Sequence, residues 1–349
     1  MAVESEHLHY CDLPQVRPPA LPSGLQADHV EALAITSNKW LNGTPITYCF
    51  VQIGQFVWPD EQKEVVRWAF DTWKNVGIGL NFAETTDKKK ATLLIGLMLG
   101  NGSWSYIGTG VLHNRSNGVN MNFGWDLTTP WGRATALHEV GHALGMPHEH
   151  QNPKSGIVWN EEKVLEYFSR SPNYWGEEKT RWNILRSLSM AEVEGSNWDS
   201  HSIMHYSFAA GLITAPKPYD IQGIPSNTQL SNEDKQWMRR FYPSQSNVVP
   251  LSLNTPSPVA TKIATQSDFI FRPTETRAYQ LEAAGDADLK IGLMEVNDGN
   301  ILEVLDVKDD SATEDNAKIT AELKAGKSYR IAARTHFSPK GVPPSIFIR

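Results

Sequence analysis

His138-Glu139-Val140-Gly141-His142-Ala143-Leu144-Gly145-Met146-Pro147-His148 reads HExxHxxGxxH, a pattern that fixes five of these eleven positions. Each fixed position has a task at a metal ion. Histidines four apart on a helix lie on one face, one turn apart, so His138 and His142 can bind one ion together. Glu139 stands beside the first ligand, within reach of the water such an ion holds. Gly145 can take a positive φ, so the helix stops and the chain turns. His148 then returns as a third ligand. Three protein ligands leave one position open, the mark of a catalytic zinc site rather than a structural one. The expected cofactor is therefore one Zn2+ ion, and the expected reaction is metal-assisted hydrolysis with Glu139 as general base. Thr129 as N-cap, Pro130 at the first helical position, and the apolar spacing Leu137, Val140, Leu144 place the motif on a helix with its back to a core.

A second element lies downstream. Ser202-Ile203-Met204-His205-Tyr206 looks like the Met-turn that accompanies this zinc motif in the metzincins. By that resemblance, Met204 forms an apolar floor under the imidazoles. Tyr206 either binds zinc at rest or donates to the oxyanion during peptide attack. His205 is not expected to be a ligand. Within the metzincins, the sequence resembles the astacin family: Glu149 follows the third histidine, the turn reads Ser-Ile-Met-His-Tyr, and Leu230–Asp234 through Phe241-Tyr242 is similar to that family's last helix. Serralysins carry a different residue after the third histidine. The resemblance covers roughly Lys39 to Pro243 and implies a zinc endopeptidase acting on proteins or peptides. It implies that the strand around Trp104-Ser105-Tyr106 is the edge strand that binds substrate backbone by strand addition. Animal astacins carry two disulfides in this domain; this chain has two cysteines in all, both before the zinc helix. Glu149 either pairs with a new N-terminus after prosegment removal, as in astacins, or orients the site as an outer carboxylate.

Tyr10-Cys11-Asp12-Leu13-Pro14 looks distantly like the matrixin prosegment motif that blocks zinc with a thiolate, a strong zinc ligand. Cys11, or the adjacent Asp12, is therefore a candidate latency ligand. A Cys11–Cys49 disulfide and a free thiol are the alternatives.

The fold expected is α+β: a metzincin-type catalytic domain, with a twisted five-stranded mixed sheet, helices and a zinc cleft, followed by a small all-β sandwich. Residues 1–37 read as a Pro-rich arm or prosegment and 38–243 as the peptidase domain. Residues 244–260, rich in Ser, Pro, Asn and Thr, read as a linker, and 261–349 as the sandwich. Strands are expected at 45–52, 80–84, 91–99, 102–108 and 119–123, with helices at 59–76, 159–169, 177–188 and from 231 to about 242. Ser231 and Asp234 suggest a capping box. The sandwich resembles the appendages that follow the catalytic domain in many secreted microbial peptidases; it serves either as support or for glycan or surface contact.

A chain of 349 residues with 40% apolar and 20% charged residues suits about two globular domains. The net charge of −7 and the absence of basic runs beyond Lys88-Lys89-Lys90 disfavour nucleic acid as a partner. No stretch reaches the ~18 apolar residues of a membrane span. The start Met-Ala-Val-Glu-Ser-Glu-His lacks the regions of a signal peptide. As written the chain is expected to stay inside the cell, with secretion, by a missing leader or another export route, as the alternative. Two further readings compete with a general endopeptidase. One is a latent or narrow-target toxin or effector peptidase. The other is a surface- or glycan-binding protein that works through the sandwich.

Overall fold

The computed structural model describes residues 10–16, 38–189, 197–244, 247–262, 265–285, 287–309, 316–337 and 343–349. The chain divides into two compact units. The described residues of the first are 10–16, 47–76, 82–189 and 197–237; those of the second come from 38–46, 77–81 and 238–349.

The first unit is organised on a five-stranded sheet of order β2-β1-β3-β5-β4, with β1 Pro45–Phe50, β2 Asn81–Glu84, β3 Leu93–Leu97, β4 Trp104–Ser105 and β5 Met121–Phe123. β1 and β5 flank β3 in parallel, and β4 runs antiparallel to β5 at the edge, with Trp104 opposite Asn122. The mixed five-stranded sheet matches the expectation. β3 reads Leu-Leu-Ile-Gly-Leu and is buried throughout, as a central strand covered on both faces must be. Helix α1, Asp60–Asn75, buries Val65, Val66, Ala69, Phe70 and Trp73. Its acidic first turn and Lys74 in the last complement the helix dipole.

Helix α2, Pro130–Ala143, carries the metal motif. The Thr129 hydroxyl accepts from Gly132 N at 2.9 Å, and Pro130 fills the first helical position. From Ala134 onward the helix is buried all round, so no single apolar stripe describes it. The Trp73 indole of α1 donates to Leu137 O at 3.0 Å and fixes one against the other.

The structure departs from the sequence expectation at several elements. The strand expected at 102–108 is confined to Trp104–Ser105 and gives way to a 3-10 turn at Gly108–Leu112. Trp159 belongs to a short strand, β6 Val158–Trp159, that precedes helix α3, Glu161–Ser169. The helix expected over 177–188 is only α4, Glu177–Thr180, followed by a π turn at Arg181–Leu185. The reason is tertiary: Trp182 O accepts from Gln151 Nε2 at 2.8 Å, Asn183 O lies 2.9 Å from His150 Nε2, and Leu188 N donates to Gln151 O at 2.9 Å. Those partners take groups that a regular helix would use itself. Beyond β7, Ile213–Ala215, and α5, Tyr219–Gln222, comes the last helix α6, Asn232–Phe241.

In the second unit two sheets face each other, of order β13-β12-β15-β10-β8 and β14-β11-β16-β9. The strands are β8 Val248–Pro250, β9 Ser257–Pro258, β10 Gln266–Phe271, β11 Arg277–Ala284, β12 Asp288–Asn297, β13 Asn300–Asp309, β14 Lys318–Leu323, β15 Ser328–Phe337 and β16 Ser345–Ile348. Phe269, Leu281, Leu289, Ile291, Ile319, Ile331 and Ile346 fill the core between them. The stretch read as a linker is therefore corrected: 248–250 and 257–258 are edge strands. Proline lacks the donor an interior strand needs but is tolerated at an edge, which is where Pro250 and Pro258 sit. Asn42 belongs here too, its N–H donating to Gln266 Oε1 at 2.8 Å. No helix among the described residues is long and apolar enough to cross a membrane.

Candidate metal centre

Three elements of the first unit place the site. Helix α2 presents His138, Glu139 and His142. Gly145, at φ 103°, then turns the chain, its N–H donating to His142 O at 2.8 Å, so that His148 comes back to the same point. The Ser202–Tyr206 turn closes the site from below. There Met204 packs against Gly141 so tightly that a Cβ on that glycine would lie 2.5 Å from the Met204 sulfur. Glu149 N donates to Met204 O at 3.0 Å and ties the third-ligand loop to the same turn.

All three histidines are buried, and the outer nitrogens of two of them are engaged by backbone carbonyls. His138 Nδ1 lies 2.8 Å from Ile203 O, and His142 Nδ1 lies 2.7 Å from Met146 O. A carbonyl only accepts, so each Nδ1 carries the proton and each Nε2 lone pair is left facing inward. The Nε2 atoms of His142 and His148 stand 3.0 Å apart, and His138 Nε2 is buried with no hydrogen-bond partner among the described residues. Burial holds the His138 ring down to about 4. Burial and the neighbouring imidazoles hold His142 and His148 well below the ordinary value. Neutral imidazoles with converging lone pairs are what a zinc ion requires, so the residues present fit the metal.

The fourth member of the cluster is Cys11. Its ligand atom and those of His138, His142 and His148 all lie within 4.8 Å of one another. Its thiol donates to Glu139 Oε2 at 3.6 Å, and its carbonyl accepts from the Tyr206 hydroxyl at 2.7 Å. The Tyr206 oxygen is also 2.8 Å from His148 Nε2. Burial, then the Glu139 carboxylate, pushes the Cys11 thiol well up; burial likewise raises Glu139 and Tyr206 well above their ordinary ranges. Cys49 is a separate buried thiol, so the Cys11–Cys49 disulfide does not form. Asp12 turns away from the cluster: its carboxylate pairs with Lys179, while its N–H donates to Ser103 O at 2.8 Å, beside the edge strand β4. Trp104, Ser105 and Tyr106 are all buried, and Ser103 rather than these three makes that backbone contact.

Glu149 lies beside the cluster, half-buried, with its carboxylate accepting from Asn152 Nδ2 and Asp199 N, each at 3.0 Å. Burial pushes it up to about 8. Three participants carry no signal that sequence spacing alone would expose. Asp234 completes the expected capping box with Ser231 but also accepts from Ser202 Oγ at 2.6 Å and Ile203 N at 2.9 Å, holding the turn under the metal. His150 anchors the loop after the motif through Asn183 O. Tyr10 fills an aromatic pocket beside Tyr206.

Comparison with known proteins gives the following. The family model described as Astacin, a peptidase family, matches residues 33–243. Among curated proteins, SpAN of Strongylocentrotus purpuratus is 27% identical over 191 residues, which is 52% of this chain and 28% of that protein. A serralysin of Photorhabdus laumondii is 28% identical over 150 residues, 38% of this chain and 31% of that protein. The solved structure of myroilysin is 33% identical with a TM-score of 0.52, covering 60% of this chain and 98% of that one. This chain thus spans between 28% and 31% of the length of those two curated relatives.

Proposed function

This chain belongs to the astacin family, and we propose that it is a zinc endopeptidase whose own residues 10–12 lie across the cleft and hold it latent. The observation that carries the reading is the Cys11 thiol, which joins three inward-facing imidazoles while donating to Glu139. A bound zinc supplies Lewis acidity and lowers the pKa of water into the neutral range. The side chains do the rest. Glu139 is the general base: its carboxylate is desolvated and aimed at the spot the Cys11 sulfur takes, so it can accept a proton there and pass it to the leaving amine. Tyr206 donates to a carbonyl oxygen. The Cys11 carbonyl, 2.7 Å from its hydroxyl, stands where a scissile carbonyl would develop negative charge. The Asp12 N–H on Ser103 O is the kind of contact by which an extended peptide adds to the edge of β4, with Trp104, Ser105 and Tyr106 shaping that edge.

The test is casein cleavage by the zinc-loaded full-length chain, its Cys11→Ala variant, and Cys11→Ala combined with Glu139→Gln. Cys11→Ala should be at least about tenfold faster than the parent, because an intramolecular thiolate ligand competes strongly with substrate. The double variant should keep one zinc per chain and lose activity by about 10²–10⁴-fold, the usual worth of a general base. Equal rates for parent and Cys11→Ala would remove the latency reading. Undiminished cleavage without Glu139 would remove the mechanism.

A further inference from the structure

Tyr10 precedes the thiol that sits among the histidines, and its side chain is 4% exposed. Its ring lies 4.7 Å from Phe168, 5.3 Å from Tyr206, 6.4 Å from Tyr167 and 6.5 Å from Trp175, centroid to centroid, and stacks on Phe208 at 6.2 Å. These walls come from α3, from the loop after it, and from the Met-turn and the chain just past it. None belongs to the segment that carries Tyr10. The segment is tied to that body by Tyr10 N to Asn173 Oδ1 at 3.4 Å, the Cys11 thiol on Glu139, the Cys11 carbonyl on Tyr206, Asp12 N–H on Ser103 O and the Asp12–Lys179 ion pair. An aromatic pocket built by the body of the unit is thus plugged by a residue of a segment lying across the reactive centre.

We propose that this pocket is the specificity subsite of the enzyme and takes an aromatic side chain from the substrate residue next to the scissile bond. The inference rests on the peptidase reading above and adds the class of substrate. Adjacency carries it: Tyr206 is at once a wall of the pocket and the donor to the carbonyl of the very next residue, so a side chain seated there belongs to a residue beside the one at the metal. The lining selects by shape and solvation. Five aromatic rings offer edge and face contacts that a ring satisfies and an alanine does not. A cationic side chain would lose its water and meet a like charge, the Lys179 ammonium 5.2 Å from the Trp175 ring. The Tyr10 hydroxyl lies beside Tyr167 and Ser207, so the pocket accepts a phenol as well as a phenyl ring.

The experiment uses the zinc-loaded full-length chain carrying Tyr10→Ala and Cys11→Ala, which leaves the pocket free of its plug. It is incubated with a denatured, mixed protein digest, and the new termini are identified by mass spectrometry. The expected result is enrichment of Phe and Tyr by about fivefold or more at one of the two positions flanking the cut, a modest share of what one well-seated side chain is worth. Cleavage with a flat profile, or with charged or small residues at both positions, overturns the subsite and leaves the peptidase standing. Absence of cleavage overturns the peptidase, and a second measurement then judges the pocket without turnover. Synthetic peptides of residues 10–16 with Cys11→Ser, and with Tyr10 kept, changed to Phe or changed to Ala, are titrated against the same variant by tryptophan fluorescence. The Phe and Tyr peptides should both bind about tenfold or more tighter than the Ala peptide, since a seated ring is an anchor. Equal binding of all three overturns the subsite.

Discussion

Gly141, inside the metal motif, has no side chain because Met204 stands over it, with the sulfur 2.5 Å from where a Cβ would be. Gly141→Ala therefore forces either the helix or the Met-turn to shift. It should cost about 1–3 kcal/mol, as overpacked sites do, and weaken zinc retention, which thermal unfolding with and without a chelator would register. His205, in the same turn, is buried with Nδ1 2.6 Å from Tyr206 O, and burial holds its ring down to about 4. The folded state thus keeps it neutral while the unfolded chain titrates near the ordinary 6.5. The stability from that neutrality is present above pH 6.5 and is lost as pH falls from 6.5 towards about 4. His205→Gln, which keeps a donor but does not titrate, should flatten the decline in denaturant midpoint over that window; an unchanged slope would refute the assignment. At this scale the site was largely legible: His138, Glu139 and His142 follow from helical geometry, His148 from the turn that Gly145 allows, and Cys11 from a motif resemblance backed by ligand chemistry. Tyr10 was not, because its pocket is assembled from residues more than 150 positions away, which no local pattern records.

Asp234 shows how one element reports on another. Sequence spacing identifies it as half of the capping box that starts α6, and both reciprocal bonds with Ser231 are present at 2.9 Å. The same carboxylate reaches Ser202 Oγ and Ile203 N, so the last helix clamps the turn whose Ile203 carbonyl orients His138. Asp234→Ala removes both roles and should destabilise by about 2–4 kcal/mol, from a lost cap plus buried donors left unpaired. Asp234→Asn should recover part of it, as measured by chemical denaturation. Elements were legible where local pattern and tertiary demand agree, as in α1 and β3. They were misjudged where tertiary partners intervene. The helix expected to 188 yields to a π turn because His150 and Gln151 engage its carbonyls. Strand β13 escaped notice because it is mostly exposed and mixes apolar with charged residues, although Asp298 and Gly299, at φ 47° and 80°, form the turn that hairpins favour.

At the scale of the whole chain, the C-terminal sandwich draws on more of the sequence than composition suggests. Strands β8 and β9 close one edge of each sandwich sheet, and Leu41 packs on Met294 and Ala332. A fragment of 261–349 therefore leaves strands β10 and β16 with open edges, an invitation to aggregation. It should unfold at lower denaturant than a fragment of 247–349, by on the order of 2 kcal/mol, and scatter light at concentrations where the longer one does not. The α+β and all-β classes were readable from periodicity and turn residues. The edges were not, since proline reads alike in a linker and at a sheet margin. The contact between Cys11 and the site has a last consequence, one of dilution. On the latency proposed above, a blocking group on the same chain competes at an effective concentration set by the chain that joins it to the site. The blocked fraction is then independent of how much protein is present. One cut within residues 17–37 makes the blocker a separate molecule, and simple dilution then opens the cleft. Activity after such a cut should rise as the sample is diluted, and return when the freed segment is added back.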